Sequence, residues 1–351
     1  MICKSKSLAT RCLSLLVVFF LLASFNAGAL AGAYEASLPA DLSSNPDLCK
    51  LLDCREIFPA AKSFSKRVGM PPYAMAYADT EQKQLLGYVM LSTDITDTPA
   101  YSGKPVVNLI GIDTTGHYVG IKVLKHSEPI LLLGIPETAL YKFNQQYLGK
   151  SVKDKIEVGQ NRADQGVTGV DAISGATVTV IAQNQVITTA AAVVARQVGI
   201  LAADSRVAAR FKLQHRRYTW AELIKLGAIQ QLKVKSEQLG LPHSDQAAIE
   251  IWFGDLNHPD IGQSILGELA WNNLRSRLQP HEQAIFVIRT AGQESFKGSG
   301  FVRGGIYDRI HLTQGGDTYT FRDLDYFNLY GIAAAGAPAF TESAIFILRS
   351  A

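Results

Sequence analysis

Residues 171–179 read Asp-Ala-Ile-Ser-Gly-Ala-Thr-Val-Thr. An acid, hydroxyls at Ser174 and Thr177, and a glycine at 175 fall between a polar, turn-prone run (159–166) and a long stretch without Gly or Pro (178–198). That order predicts a turn feeding a helix, with Asp171 or Ser174 as cap, Gly175 at the bend and Thr177 at or just before the first turn. A helix N-terminus offers unpaired N–H groups and the positive end of the dipole, which suits a phosphate. A hydroxyl there can carry a phosphate ester, or the segment can be only a cap and a turn.

Two further clusters carry polar chemistry. Tyr101-Ser102-Gly103-Lys104-Pro105 precedes a β-rich stretch, and His126-Ser127-Glu128-Pro129-Ile130 follows it. His126 and Glu128 without a third nearby His or Cys make a poor metal set, and taken alone they read as an exposed pair at a strand end. Ser174 has no His close in sequence, so no nucleophile and base pair is visible. The Gly-dense run 298–305 lacks the Gly-Lys-Ser/Thr ending of a phosphate loop, and its glycines beside aromatics read as bulges or close backbone approaches.

The elements that must position these residues follow from pattern. Strands are expected over 85–91, 105–112 and 118–124, with Asp113–His117 as a hairpin turn between the last two. Pro136 and Glu137 open a helix whose face carries Leu140, Phe143 and Tyr147 and which ends at Gly149. Strands, helix, loop and long helix give an α+β fold: an antiparallel sheet with helices on one face. Asp47–Phe58 reads as a short helix. Thr219 with Glu222 reads as a capping box. A second, smaller α+β module is expected from Ala247: a strand over 249–256, a helix over 265–278, a buried strand over 284–289, and a hairpin at Gly315-Gly316-Asp317.

The N-terminus is set apart by Lys4, Lys6 and Arg11 ahead of an apolar core, Leu13–Ala23, and two small-x-small cleavage candidates, Ala27-Gly28-Ala29 and Ala31-Gly32-Ala33. This is the pattern of a secretory signal peptide over residues 1–33, with an uncleaved inner-membrane anchor as the alternative. No later segment reads as a membrane span, the most apolar being 130–135 and 345–348. Past the leader only Cys49 and Cys54 remain; in an oxidising compartment they can form one local disulfide if the chain turns near Leu51–Asp53. At 351 residues, 47% hydrophobic and 19% charged, the chain has room for two cores. A net charge of +3, dispersed, does not point to direct nucleic-acid binding, and the basic run from Arg196 to Arg217 reads as a solvated connecting face.

Asp171-x-x-Ser174-Gly175-Ala176-Thr177 resembles the flavinylation motif of the FMN-binding domain in the NosR/NirI family, related to RnfG and NqrC. The Tyr101–Pro105 and His126–Ile130 stretches resemble the NosR branch, with Ala100 where that branch has Gly. The Thr and Gly that follow His-x-Glu in RnfG and NqrC are missing. Phe296–Phe340 also resembles NosR. The resemblance implies FMN joined through a phosphoester to Thr177 by a flavin transferase. It implies a loop shaped by Asp171, Ser174, Gly175 and Ala176, and Tyr101, Ser102, Lys104, His126 and Glu128 lining the isoalloxazine or phosphate. It gives an N-terminal lead-in over 34–80, an FMN-binding domain over 81–200, a connector over 201–246 and the second module over 247–351. The expected function is a periplasmic redox carrier, more a component than a stand-alone enzyme, supporting nitrous oxide reductase activity or maturation. The alternatives are an indirect regulator of that enzyme's expression and a non-catalytic scaffold. Full members of the family continue into membrane helices and ferredoxin-like motifs; this sequence stops at Ala351, so a truncated or split form docking on a membrane electron donor is expected.

Overall fold

The computed structural model describes residues 32–34, 36–132, 134–159, 166–202, 210–279, 282–298, 301–314 and 317–348. The leader pattern over 1–33 lies outside them except for Gly32 and Ala33, as do most of the 159–166 run, Arg206 and the Gly315-Gly316 turn.

The first sheet is a meander of β1 (Ser63–Phe64), β2 (Ala74–Tyr77), β3 (Leu85–Leu91), β4 (Val107–Asp113) and β5 (Tyr118–Lys125), each antiparallel to the next. The expected hairpin turn is present between β4 and β5, where Asp113 Oδ1 accepts from the Thr115 and His117 N–H groups at 2.8 and 2.9 Å. Side chains alternate across a sheet with period two. Met90, Ile110, Ile112 and Tyr118 therefore face one way and Val89, Leu91 and Leu109 the other. Both faces are covered, which is why β4 carries an almost unbroken apolar run.

Helices occupy the front face. They are α2 (Thr138–Gln145), which buries Leu140, Phe143 and the following Tyr147 as its spacing predicts, and α3 (Thr177–Gln197). The back face is closed by the N-terminal segment, with α1 (Leu48–Leu51) and a short 3-10 turn at Cys54–Glu56 in place of one continuous helix over 47–58. Cys49 and Cys54 are joined by a disulfide across the intervening turn, their Cα atoms 5.3 Å apart. Residues 34–80 are thus part of this domain, supplying two strands and its back cover. Three strand glycines permit this close approach: a Cβ on Gly111 would stand 2.2 Å from Ile57 Cγ2, one on Gly87 2.7 Å from Phe58 Cζ, and one on Gly120 3.1 Å from Ile57 Cα. A parallel pair that the pattern did not reveal, β6 (Lys155–Val158) and β7 (Val167–Val170), leads into residue 171.

The helix α3 is long and apolar enough to cross a membrane, against the sequence expectation that no later segment is. Its most apolar window is 67% buried inside the domain. A helix apolar on all sides is a core helix when protein surrounds it.

The second sheet runs β13 (Tyr326–Phe327), β14 (Glu342–Leu348), β10 (Gln283–Gly292), β9 (Ala247–Asp255), β8 (Ile229–Lys235), again antiparallel. One face is covered by α4 (Trp220–Lys225), α5 (Pro259–Leu266) and α6 (Glu268–Arg275). The hairpin β11 (Ile306–Gln314) and β12 (Asp317–Arg322) lies on the other. The single helix expected over 265–278 is two, broken at Gly267 with φ +80°. The connector expected over 201–246 supplies α4, with the Thr219–Glu222 capping box in place, and the edge strand β8, so this module begins well before Ala247. In the basic run, Arg216 pairs with Glu222 at 3.2 Å and Arg217 with Glu268 at 3.4 Å.

Candidate functional site

The helix α3 begins at Thr177, as the pattern predicts, but its cap differs from expectation. The capping position is Ala176 and, among the described residues, no side chain caps the helix; Asp171 and Ser174 are exposed in the preceding turn. Gly175 has φ +79°, a conformation glycine adopts without penalty, and so supplies the expected bend. Its missing Cβ leaves Ile135 Cδ1 in ordinary contact distance. The turn is anchored at its start by a reciprocal pair: the Asp171 N–H donates to Gln146 Oε1 at 2.7 Å, and Gln146 Nε2 donates to the Asp171 carbonyl at 3.2 Å. Ala176 and Val178 are buried, and Thr177 between them is exposed.

The motif's second threonine points the other way. Thr179 is fully buried and its hydroxyl donates to Glu128 Oε2 at 2.5 Å. The same carboxylate accepts the Tyr101 N–H at 3.1 Å on Oε2 and the Ser102 N–H at 2.9 Å on Oε1. One buried acid therefore ties the 101–104 loop to the first turn of α3, at the end of the helix where negative charge is favoured. Glu128 is itself set by His126, whose Nδ1 accepts the Glu128 N–H at 3.2 Å. Nδ1 is then the acceptor and Nε2 the donor, to Glu137 Oε1 at 3.0 Å. The Tyr141 hydroxyl donates to the same oxygen at 3.3 Å. The His126 N–H reaches the carbonyl of buried Ala33 at 3.1 Å.

His126 and Glu128 are therefore not the exposed pair that a strand-end reading gives. They are an internal scaffold whose polar atoms are committed to protein partners. Tyr101 and Ser102 are half-buried on the loop that this scaffold holds, and Lys104 is exposed at its end. Ser102 Oγ accepts the Lys104 N–H at 3.2 Å, and Gly103 has φ +76°. Asp171, Ser174, Gly175, Ala176 and Thr177 are one turn; Tyr101, Ser102 and Lys104 are a second loop beside it.

Sequence reasoning assigned no role to Thr179, Gln146 or the buried amides beneath the site. Asn108 and Gln183 exchange two hydrogen bonds, at 3.1 and 2.8 Å, and Gln183 Nε2 also reaches Asn144 Oδ1 at 3.0 Å. Polar residues at 179 and 183, four apart on the face that also carries Val186, Ala190 and Val194, are the signal that would have found this stripe.

The residues present fit a phosphate ester. An exposed hydroxyl stands on the first residue of a long helix whose leading N–H groups no side-chain cap competes for. Two shallow cavities of about 310 and 320 Å³ lie away from Thr177, one beside Arg217 and Ala334 and one beside Cys49 and Phe64. Among the described residues, Thr177 itself is exposed between the 171–176 turn and the 101–104 loop.

Residues 101–192 match the family model described as FMN-binding domain. The regulatory protein NosR of Stutzerimonas stutzeri is 38% identical over 289 residues, 77% of this chain and 40% of that protein. NosR of Pseudomonas aeruginosa is 38% identical over 318 residues, 84% of this chain and 43% of that protein. The protein NirI of Paracoccus denitrificans is 27% identical over 275 residues, 76% of this chain and 38% of that protein. The chain thus spans about two-fifths of the length of the curated relatives it matches. With an antiparallel α+β domain that carries the FMN-binding match, and with identity to NosR through both modules, the chain belongs, over the stretch it shares with them, to the NosR/NirI family.

Proposed function

We propose that this protein is an exported flavoprotein that carries FMN as a phosphoester on Thr177 Oγ1 and passes electrons in support of nitrous oxide reductase. The observation that carries the reading is the placement of Thr177: the exposed residue at the uncapped start of the helix α3, inside the region that matches FMN-binding domains. The helix N-terminus faces the phosphate, the Asp171–Ala176 turn aims the hydroxyl outward, and the loop held by Glu128 borders the flavin. FMN supplies one- and two-electron chemistry when bound; the protein supplies orientation and electrostatics. A flavin transferase makes the ester, and a membrane component donates the electrons. The signal-peptide pattern and the Cys49–Cys54 disulfide support a periplasmic location.

Mass spectrometry of the denatured protein, from cells that express the transferase, tests this. The peptide containing Thr177 is expected to carry one FMN phosphoester, and Thr177→Ala to lose it while Thr179→Ser retains it. An unmodified Thr177 in those cells would sink covalent attachment. The name of the two NosR relatives, regulatory protein, favours a second reading in which the same flavin reports redox state to a regulator of reductase expression. A flavin that membrane donors reduce without any effect on reductase turnover would select that reading.

A further inference from the structure

The second module does not merely follow the FMN-binding domain; part of it is built into the wall beside Thr177. Ile306, at the start of β11, is fully buried in the apolar cluster that contains Ala100, Val106, Val178 and Ala182 of the first domain. The turn before it lies against the 101–104 loop: the Arg303 carbonyl oxygen is 3.8 Å from where a Gly103 Cβ would stand, and a Gly305 Cβ would be 3.9 Å from the Ala100 carbonyl. The turn is held from its own side. The Gly304 N–H donates to Asp323 Oδ2 at 3.0 Å, the Asp323 N–H donates to the Gly305 carbonyl at 2.9 Å, and Gly304 takes φ +81°. On this fixed turn the Arg303 side chain is 88% exposed, and its guanidinium forms a long ion pair with the Asp323 carboxylate at 3.7 Å. Across the loop from it, through the hydrogen bonds of Glu128, is the first turn of α3.

We infer that Arg303 is a flavin-binding residue: the second module supplies the cation that meets the pyrimidine end of the isoalloxazine tethered at Thr177. This rests on the reading of Thr177 as the anchor. In this proposal the phosphate sits at the helix N-terminus and the ring lies over the 101–104 loop; the approach of the Arg303 backbone to Gly103 brings Arg303 to the edge of that loop. The pyrimidine end, with its carbonyl oxygens and N1, gains negative charge when the flavin is reduced. A guanidinium offers it planar donors in a fork and stabilises the reduced form more than the oxidised one. The second module thereby tunes the flavin.

The test uses the full chain with its flavin attached, in wild type, Arg303→Ala and Arg303→Lys. Flavin attachment is read by mass and redox equilibrium against a reference dye. For an exposed charge contact the Arg303→Ala equilibrium should shift ~2- to 5-fold toward oxidised flavin. The flavin spectrum should shift with it, and Arg303→Lys should recover part of both. Equal attachment with an unchanged equilibrium and spectrum in Arg303→Ala overturns the inference and leaves the anchor at Thr177 standing. Absence of FMN from wild-type Thr177 overturns the anchor and this inference together. Loss of attachment in folded Arg303→Ala would assign Arg303 to recognition by the transferase and would likewise overturn a role in holding the ring.

Discussion

Two threonines two positions apart divide the work of the motif. Thr177 is exposed on the first residue of α3, whereas Thr179 is buried and bonded to Glu128. Replacing Thr177 by Val removes the hydroxyl proposed to carry the ester but breaks no buried contact, so the denaturation midpoint should move by no more than ~0.5 kcal/mol equivalent while the proposed flavin attachment is lost. Replacing Thr179 by Val leaves the anchor hydroxyl but takes one donor from a buried carboxylate, which costs about 1–3 kcal/mol. Chemical denaturation and peptide mass, measured on both variants, should separate cleanly; a Thr177→Val variant as destabilised as Thr179→Val would remove the distinction. The sequence made the exposed half of this site legible, because a turn with Gly ahead of a long helix has a local signature. The buried half was not legible. Whether Glu128 faces solvent or a helix depends on contacts to residues 101, 102 and 179, far apart along the chain, and no local pattern encodes that.

Among the elements, the strand glycines and the segment behind them carry most of what the pattern missed. Gly111 and Gly120 sit opposite each other in the β4–β5 register and admit Ile57 against the sheet. A Gly111→Ala methyl would stand 2.2 Å from Ile57 Cγ2, so the back cover must move, at a cost of about 1–3 kcal/mol read as a lowered thermal midpoint. Strands of two to four residues, such as β1 and β2, give too short a run to show period two, which is why 34–80 reads as a lead-in. The hairpin and the two front helices were legible because their signals are local. The same cover holds a titrating group. Asp94 is 5% exposed, 2.9 Å from Arg67, which also donates to the carbonyls of Leu42 and Ser43 at 2.7 and 3.0 Å. Burial pushes the Asp94 carboxyl up to about 6 from 3.8, with Arg67 pulling the other way. A pKa raised by folding means that the native state holds the proton more tightly than the unfolded chain. The associated stability is full below about pH 4 and is lost as the pH rises through about 6, up to about 3 kcal/mol. Asp94→Asn, uncharged throughout, should not show that loss. Urea midpoints of the two proteins across pH 4–7 check it, and parallel curves would place the charge elsewhere.

At the scale of the whole molecule, the question is whether two modules with separate sheets behave as one. Each has its own core, yet the hairpin of the second crosses onto the first. Ile306 is buried among first-domain residues, Thr320 Oγ1 donates to Gln185 Oε1 on α3 at 3.1 Å, and Arg322 bridges Asp97 of the first domain and Asp325 of its own module. Ile306 packs with first-domain side chains while its neighbour Tyr307 packs with Phe346 in the second module, so one strand serves two cores. Apolar burial of this kind couples unfolding: removing one module exposes the cluster of the other to water. Ile306→Ala leaves a cavity at the junction, for which about 2–5 kcal/mol is expected. The pattern of loss is more informative than its size. If the hairpin couples the modules, wild type melts in one calorimetric transition and Ile306→Ala either lowers that transition as a whole or splits it, with the first domain no longer tied to the second. If the modules are independent, wild type already shows two transitions and the substitution moves only one. A split caused by Ile306→Ala, accompanied by a change in flavin fluorescence, would show that the second module reaches the proposed flavin site through this strand.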